Sequence, residues 1–254
     1  MIDLSIAIVA YNDEKDVRNA VCSIVGHTAA IISKKIYIID NSDKENRLPE
    51  LAQEYPEVEY RSPGKNLGFG RGHNYVLDQL ESRYHAVVNP DILLTEDSFP
   101  VLMDFLEQTG AGMAVPRILD GEGRLSAVYR RELTVADMGI RMFLPSHFKK
   151  RQAYHTMQDM DYGKPFQVPF AQGSFLVVQT GLFQQIGGFD ERYFMYMEDA
   201  DLCRRVNMAS SLLYCPDTEV IHKWERGSHK DKKLRRMHVE SMIRYFSKWG
   251  WKLW

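Results

Sequence analysis

The chain has 254 residues, 44% of them hydrophobic, a proportion ordinary for one large globular domain with a sizeable core. Its formal net charge of −2 gives no overall attraction to nucleic acid, so we expect no nucleic-acid partner. Three scattered cysteines without a CxxC pair argue against a disulfide framework or a zinc cluster. Neither a secretory signal nor a membrane-length apolar run is evident, and we expect a cytoplasmic protein.

The first half of the chain alternates short apolar runs with segments of helical spacing. The apolar runs predict strands at residues 4–10, 35–39, 58–61 and 85–88. Helical spacing predicts helices at residues 13–32, 48–55 and 74–82, with a glycine-rich loop at 64–72. Such continuously apolar strands are typical of parallel sheets. The sequence therefore predicts an α/β fold with a Rossmann-like, mostly parallel central sheet and helices on both faces.

Polar residues follow three of the predicted strands: Tyr11 and Asn12 after the first, Asp40 at the second, and Asn89 and Asp91 after the last. The carboxyl ends of parallel strands meet at one edge of a sheet, where ligands of such folds bind. Asn and Asp are also common helix caps, so a single cluster of this kind would be ambiguous. Three clusters on one edge favour a binding site.

Two residues suit a divalent metal ion. Asp91 offers a carboxylate at a strand end, the kind of hard oxygen ligand that Mg²⁺ and Mn²⁺ prefer. His222, which follows a late apolar run, is the best candidate for its partner.

The glycine-rich loop contains Gly68, Gly70 and Gly72 and precedes a predicted helix. Glycines let a backbone approach phosphate closely, and a helix N-terminus favours anions. The spacing is not that of a dinucleotide-binding fingerprint, and a plain tight turn is the alternative interpretation.

The second half of the chain is less regular. Residues 119–165 show no clear periodicity, order returns over 173–205, and a helical pattern closes the chain from about Leu234. Within the ordered part, Glu198, Asp199 and Asp201 form a dense acidic group. Repulsion and burial raise carboxyl pKa values, as a general base requires. The alternative is a solvated helix start, where acids favour the helix dipole.

These features, in this order, resemble the family 2 glycosyltransferases of the GT-A fold, and in particular bacterial rhamnosyltransferases. The resemblance covers nearly all of residues 3–228. It is carried by SIAIVAYN, IIDNS, NLGFGRGHN, NPD, GSFLVV, GGFDERYFMYMEDADLCRR and VIHKWERGS.

The resemblance implies a metal-dependent enzyme that binds a nucleotide-sugar donor. The implied donor site consists of Tyr11, Asn12, Asp40, Asn66, Gly68, Gly70, Asn89, Arg226 and Ser228. Asp40 would bind the pyrimidine ring, and Arg226 with Ser228 would contact the diphosphate. Asp91 and His222 would hold Mg²⁺ or Mn²⁺, and Asn89 stands where the family's DxD motif has its first acid.

The resemblance also implies an inverting mechanism with Asp199 as the base. Glu198 and Asp201 would orient the acceptor and a loop, with Asp201 as the alternative base. The implied donor is dTDP-L-rhamnose. The implied acceptor is a hydroxyl of a glycan or of a polyprenyl-diphosphate-linked saccharide, in the synthesis of bacterial cell-surface polysaccharide such as O-antigen.

Three alternatives remain beside this expectation. The donor could be a UDP-hexose, a UDP-N-acetylhexosamine or UDP-galactofuranose, since no residue identifies the sugar. The chain could instead be a non-catalytic nucleotide-sugar-binding protein. A nicotinamide-dependent oxidoreductase would need a glycine fingerprint after the first strand, where Asp13 and Glu14 stand.

The expected organisation is a GT-A domain at 1–228, with a nucleotide-binding half at 1–115 and an acceptor and catalytic half at 116–228. A basic, aromatic helix follows at 229–254. From Lys223 to the end, ten Lys or Arg stand against three Asp or Glu, an excess of seven positive charges. This composition suits peripheral contact with the inner face of an anionic membrane, and packing on the protein is the alternative.

Overall fold

The structure is a computed structural model that describes residues 1–223 and 232–254. Arg226 and Ser228, two predicted donor-binding residues, lie outside the described residues, as does the predicted boundary at 228. No helix within the described ranges is both long enough and apolar enough to cross a membrane.

The described strands are β1 Ile2–Ala10, β2 Lys34–Asp40, β3 Val58–Arg61, β4 Ser82–Val88, β5 Ile92–Leu93, β6 Met113–Leu119, β7 Tyr129–Arg130, β8 Phe166–Gln167, β9 Phe170–Ala171, β10 Phe175–Gln179 and β11 Leu212–His222. The described helices are α1 Glu14–His27, α2 Leu48–Glu54, α3 Phe69–Asn74, α4 Ser98–Thr109, α5 Val135–Phe143, α6 Lys149–His155, α7 Thr180–Gln185, α8 Glu198–Ala209 and α9 Lys232–Trp249. A 3-10 turn spans Leu77–Gln79.

One central sheet runs through the molecule in the order β3-β2-β1-β4-β10-β6-β11-β5, and β8 pairs with β11. Strands β3, β2, β1 and β4 are mutually parallel, and β6 is parallel to β11. Strand β10 lies antiparallel between β4 and β6. The predicted α/β fold with a mixed, mostly parallel sheet is therefore confirmed. Strands β7 and β9 form a separate two-stranded ribbon.

Both faces of the sheet are covered. Ile6, Ala7 and Ile8 follow one another in β1 and are all fully buried. Because successive strand residues point to opposite faces, a run of buried residues requires packing on both sides. Helix α1 supplies part of this cover through Val17 and Val21, which are also fully buried.

Two helix predictions were wrong in their bounds. Helix α1 ends at His27, because Thr28 is already extended with φ −91° and ψ 119°. The predicted loop at 64–72 contains the start of α3, and the predicted helix at 74–82 is replaced by a 3-10 turn followed by β4. Glycine disfavours helices by about 1 kcal/mol each, but tertiary packing overrides that preference in α3.

The predicted division at residue 115 falls inside β6, Met113–Leu119. The two halves share one sheet, since β10 and β11 from the second half pair with β4 and β6. Residues 119–165, whose sequence shows no clear periodicity, contain α5 and α6.

Helix α9 packs on the protein through its middle and end. Ser241, Tyr245 and Phe246 are buried, and the Ser241 hydroxyl donates to the Met195 carbonyl oxygen at 2.8 Å. The packing alternative therefore holds for this face of the helix.

Candidate active site

The predicted strand-end residues lie together. Strands β1, β2 and β4 are adjacent and parallel, so Tyr11, Asn12 and Asn89 follow strand ends on one edge. The backbone N–H of Asn12 donates to the Ser42 hydroxyl at 2.9 Å, and its side chain donates to Asp43 at 2.8 Å. The Tyr11 hydroxyl donates to the same aspartate at 3.2 Å. These contacts join the loops that follow β1 and β2.

Asp40 organises the loop after β2. Its carboxylate accepts hydrogen bonds from the Ser42 backbone at 2.9 Å, from Asn46 at 2.8 Å and from the Tyr60 hydroxyl at 2.8 Å. Burial opposes ionisation, but these hydrogen bonds outweigh it and hold the pKa of Asp40 below its usual value. Because both oxygens are engaged by the loop and by Tyr60 of β3, contact of Asp40 with a pyrimidine ring stays a prediction.

The glycine-rich loop connects this edge to the segment before α8. Asn66 accepts a hydrogen bond from the Gly68 backbone at 2.8 Å, and the buried Asn41 donates to the Gly68 carbonyl at 3.0 Å. The Phe69 N–H then donates to the Phe194 carbonyl at 3.0 Å. A Cβ on Gly68 would lie 2.1 Å from that carbonyl oxygen, so the close approach requires glycine.

Gly70 makes a similar approach. A Cβ there would lie 2.9 Å from the Cβ of Phe189 and 3.5 Å from that of Glu198. The structure therefore uses these glycines to bring the loop against the acidic segment. Their contact with a nucleotide-sugar donor stays a prediction.

Asp91 and His222 are brought together as predicted. The Oδ2 atom of Asp91 lies 3.1 Å from Nε2 of His222, whose side chain is 2% exposed. The other carboxylate oxygen, Oδ1, is buried and has no hydrogen-bond partner within the described ranges. A carboxylate oxygen and an imidazole nitrogen at this separation fit a divalent cation that takes its remaining ligands from phosphate and water. Among the described residues no group of three or more His, Cys, Asp or Glu suits a metal.

Asp13, which follows Tyr11 and Asn12 at the end of β1, also belongs to this region but was not predicted as a site residue. Its carboxylate accepts a hydrogen bond from the Tyr11 backbone at 2.8 Å. Burial raises the pKa of Asp13 to about 6, and repulsion from Asp16 and Asp91 adds to the shift. Asp13 is therefore an ionisable neighbour of the predicted metal ligands.

A cavity of about 380 Å³ lies at the start of α8. Its walls include Asn89, Arg130, Arg141, Gly173, Ser174, Glu198, Asp199, Leu234 and His238. The Asn89 backbone donates to the Ser174 carbonyl at 2.8 Å, which joins the end of β4 to the start of β10. The cavity thus joins one predicted donor-site residue to two residues of the acidic group.

Glu198 and Asp199 differ in their hydrogen bonds within this cavity. Asp199 accepts backbone hydrogen bonds from Gly173 at 3.2 Å and Ala200 at 2.8 Å. Glu198 is 6% exposed, and its Oε2 atom has no hydrogen-bond partner within the part of the chain described. Burial raises the pKa of both carboxyl groups, and mutual repulsion adds to the shift of Glu198. Glu198 therefore keeps its proton more readily than Asp199, whose ionised form is favoured by the two backbone N–H groups and by the charges of Arg130 and Arg141.

The structure does not bring Asp201 to the cavity. Its side chain is fully buried, with Oδ2 accepting from Arg205 at 2.7 Å. Oδ1 accepts from Lys248 at 2.5 Å and from the indole of Trp249 at 2.8 Å. Both oxygens are engaged away from the cavity, so its position does not support the expected role as orienting residue or alternative base.

Sequence reasoning missed two arginines in the cavity walls, Arg130 on β7 and Arg141 on α5. Arg130 is 6% exposed, and burial lowers its pKa to about 9. Both residues lie in the part of the sequence without clear periodicity, and neither belongs to a motif of the resembled family. The consecutive arginines Arg130 and Arg131 were the available sign of a functional position.

Comparison with known proteins identifies the family. The sequence profile described as glycosyl transferase family 2 matches residues 5–187, well over half of the chain. The chain belongs to glycosyl transferase family 2. In this glycosyltransferase the matched residues include Asp91 and most of the central sheet, whereas Asp199 and His222 follow the matched range.

Three curated relatives resemble this glycosyltransferase at modest identity. An N-acetylglucosaminyl-diphospho-decaprenol L-rhamnosyltransferase of Mycobacterium tuberculosis is 29% identical over 90% of this chain and 78% of its own. The rhamnosyltransferase WbbL of Escherichia coli is 27% identical over 84% and 82%. The low-salt glycan biosynthesis hexosyltransferase Agl10 of Haloferax volcanii is 28% identical over 87% and 67%.

Solved structures confirm the GT-A fold. The crystal structure of GalNAc-T7 with UDP, GalNAc and Mn²⁺ matches with a TM-score of 0.73 at 15% identity. It covers 97% of this chain, which spans about half of the GalNAc-T7 chain, 48%. Staphylococcus aureus TarS 1–349 in complex with UDP matches with a TM-score of 0.63 at 12% identity, over 97% of this chain and 72% of its own. At such identities the likeness shows the fold alone.

Proposed function

We propose that this glycosyltransferase moves L-rhamnose from dTDP-L-rhamnose to a saccharide hydroxyl with inversion, and that Asp199 is the base. The observation that carries this proposal is the place of Asp199, in a cavity shared with Asn89 at the end of β4. A donor bound at the strand ends would then present its sugar toward an acceptor in that cavity.

The surroundings of Asp199 suit proton abstraction. Its two backbone hydrogen bonds fix the carboxylate and favour its ionised form, whereas burial and repulsion favour the protonated form of Glu198 beside it. The carboxylate takes the proton of an acceptor hydroxyl, whose oxygen attacks the anomeric carbon from the face opposite the nucleotide. The bond to the diphosphate breaks in the same displacement, so the configuration inverts.

Asp91 and His222 would hold Mg²⁺ or Mn²⁺. When bound, such an ion neutralises charge on the leaving diphosphate. Arg226 and Ser228, outside the described residues, remain predicted contacts of that diphosphate. The ion in GalNAc-T7 supports metal use within the fold.

The donor assignment rests on the relatives. Two of them are named rhamnosyltransferases, which supports dTDP-L-rhamnose. The Haloferax relative is named a hexosyltransferase, so a UDP-hexose, a UDP-N-acetylhexosamine or UDP-galactofuranose is the second candidate donor. A non-catalytic nucleotide-sugar-binding protein is the more distant alternative.

The acceptor we propose is a saccharide on a polyprenyl diphosphate, in cell-surface polysaccharide synthesis at the inner face of the membrane. The name of the mycobacterial relative, which contains a diphospho-decaprenol, supports this class. Phe143 at the end of α5, Phe148 before α6 and Trp254 at the end of the chain are 63%, 58% and 74% exposed. They lie near Lys149 and Lys150, so aromatic and basic side chains together suit an anionic lipid surface.

A donor panel tests the proposal. We would measure binding of dTDP-L-rhamnose and UDP-sugars, with Mg²⁺ or Mn²⁺ and with chelator, to the parent, Asp91→Ala and Asp199→Asn. Asp78→Ala, an exposed aspartate elsewhere, is the matched control. We expect metal-dependent binding of dTDP-L-rhamnose that Asp91→Ala loses and an inactive Asp199→Asn keeps. Preference for a UDP-sugar would overturn the rhamnose assignment, and absence of any nucleotide-sugar binding would overturn the function.

A further inference from the structure

Ser174 carries a buried hydroxyl without a hydrogen-bond partner. The residue is fully buried, and its Oγ atom meets no donor or acceptor within the described ranges. Leaving a buried hydroxyl unpaired costs free energy, so such groups nearly always have a partner. The other buried serines of the described chain follow this rule, with side-chain hydrogen bonds of 2.7–3.0 Å: Ser5, Ser82, Ser98 and Ser241. Ser174 therefore needs a partner that those residues do not supply.

Two more unpaired polar atoms share the cavity with Ser174. They are Oδ1 of Asn89 and Oε2 of Glu198, each buried and without a hydrogen-bond partner in the part of the chain described. All three residues line the cavity of about 380 Å³ at the start of α8. A hydroxyl group both donates and accepts, so a ligand rich in hydroxyl groups can pair with an amide oxygen, a serine hydroxyl and a carboxyl group alike.

Ser174 lies between the donor edge of the sheet and the proposed base. Its carbonyl oxygen accepts from the backbone N–H of Asn89 at 2.8 Å, two residues before Asp91. On the other side, the N–H of Gly173 donates to Asp199 at 3.2 Å, and a Cβ on Gly173 would lie 3.1 Å from that of Asp199. In a single displacement the transferred sugar lies between the diphosphate and the acceptor hydroxyl at the base. Residues 173–174 therefore span the place where that sugar must lie.

We propose that Ser174, together with Asn89, binds hydroxyl groups of the sugar that is transferred, which makes Ser174 a specificity-determining residue. The inference rests on the proposed function and assigns the sugar-recognition part of that site. A donor sugar without the matching hydroxyl leaves buried polar atoms unpaired, and sites built in this way discriminate strongly against such analogues.

Comparison of a nucleotide sugar with its nucleotide isolates the contribution of the sugar. The affinities of dTDP-L-rhamnose and dTDP are measured with Mn²⁺ for the parent, Ser174→Ala and Asn89→Ala. If the donor panel identifies a UDP-sugar, that compound and UDP replace them. Ser98→Ala is the matched control, because Ser98 is equally buried, lies outside the cavity walls and donates to the Glu219 carbonyl at 3.0 Å.

We expect Ser174→Ala to bind the nucleotide sugar about 3- to 10-fold more weakly, as for one lost hydrogen bond between uncharged groups, and to bind the nucleotide as the parent does. Its unfolding temperature should not fall, because the hydroxyl has no partner in the described protein. Ser98→Ala should show the reverse, with an unfolding temperature about 2–4 °C lower and the parent's ratio of the two affinities. Asn89→Ala should show the same selective loss as Ser174→Ala, and it carries the test if Ser174→Ala fails to fold.

Donor analogues that each lack one sugar hydroxyl identify the group that Ser174 contacts. The parent should bind one of these analogues more weakly than the full donor, and Ser174→Ala should bind that analogue as well as the parent does. In transfer assays, KM for the donor should rise in Ser174→Ala while KM for the acceptor stays unchanged.

Three results would overturn the inference: equal weakening of nucleotide and nucleotide sugar, a lower unfolding temperature of Ser174→Ala with unchanged binding, and a rise confined to KM for the acceptor. The first two would make Ser174 a structural residue, and the third would place it against the acceptor. The proposed function fails by a different result, the absence of any nucleotide-sugar binding by the parent, so the two failures are distinguishable.

Discussion

The indole N–H of Trp249 on α9 donates a hydrogen bond of 2.8 Å to Asp201, two residues beyond the proposed base. The same carboxylate oxygen accepts from Lys248 of α9 at 2.5 Å. Further back along this helix, Leu234 and His238 line the cavity. The C-terminal helix is therefore anchored to α8 at one end and forms part of the cavity wall at the other.

Replacing Asp201 should loosen this anchor. Asp201→Asn leaves Arg205 without its buried counter-charge and leaves Lys248 with Asp190 as its remaining partner. Breaking a buried pair costs about 3–5 kcal/mol. We expect a drop of that order in the free energy of unfolding, measured by chemical denaturation. At a temperature where the variant stays folded, KM for the acceptor should rise more than kcat falls.

The control for Asp201→Asn is Glu122→Gln, which removes an exposed ion pair with Arg124. Exposed pairs contribute about 1 kcal/mol or less, so this variant should unfold nearly as the parent does. Equal, small losses in both variants would show that Asp201 does not anchor the helix.

Gly68→Ala should destabilise the loop strongly. Gly68 has φ 80° and ψ −175°, and an added Cβ would meet the Phe194 carbonyl oxygen at 2.1 Å. A residue other than glycine in this backbone conformation lowers the free energy of unfolding by about 1–3 kcal/mol, and the steric clash adds to that loss. Gly64→Ala is the matched control, with φ 71° in the same loop and no atom within 4 Å, and it should lose only about 1–2 kcal/mol. Equal losses in the two variants would contradict the packing role of Gly68.

Glu198 should make the stability of the fold depend on pH. Its pKa is raised above the usual 4.5, so the folded protein keeps a proton that the unfolded chain has lost. The contribution of Glu198 to stability is therefore fully present below about pH 4.5 and is lost as the pH rises toward the folded pKa, by about 1.4 kcal/mol per unit. Glu198→Gln lacks this loss, so its unfolding free energy relative to the parent should increase with pH. Denaturation at pH 5, 6, 7 and 8 measures the difference, and parallel curves would contradict the assignment.

Vesicle binding should depend on the exposed aromatic residues Phe148 and Trp254. The end of the chain is held against α5 by a hydrogen bond from the Val135 N–H to the Lys252 carbonyl at 2.9 Å, and the Arg151 guanidinium lies 4.5 Å from the Trp254 ring. Phe148→Ser and Trp254→Ser should each weaken cosedimentation with phosphatidylglycerol vesicles by several-fold.

Ile31→Ser is the control for vesicle binding, since that side chain is 87% exposed in the loop between α1 and β2. It should sediment with vesicles as the parent does. Retention of full binding by both aromatic variants would rule out this surface as the membrane contact.

The first half of the fold was predictable because its strands are continuous apolar runs. Strand β1, predicted over 4–10, spans Ile2–Ala10, and a short strand predicted near Val58–Arg61 forms β3. Helix α3 was not predictable, because Gly70 and Gly72 disfavour a helix that forms only where other segments pack against it. Local pattern carries no information about such contacts.

The candidate site likewise contains residues that the sequence predicts and residues that it does not. Asp91 and His222 could be paired from ligand chemistry, and the structure brings them within 3.1 Å. Asp199 and Asp201 looked alike in sequence, but two residues along a helix place side chains on different faces, and only Asp199 lines the cavity. Arg130 was missed because its burial depends on the β7–β9 ribbon, which forms between distant parts of the chain.

The most direct test of the central claim is the transfer rate of Asp199→Asn, measured with donor and acceptor alongside the affinity for the donor. Removing a general base costs about 10²- to 10⁴-fold in rate. We predict a loss of kcat of that size, an unchanged donor Kd and, in the parent, a product whose anomeric configuration is opposite to that of the donor. A variant that keeps most of the parent's kcat, or a parent product with retained configuration, would contradict the account.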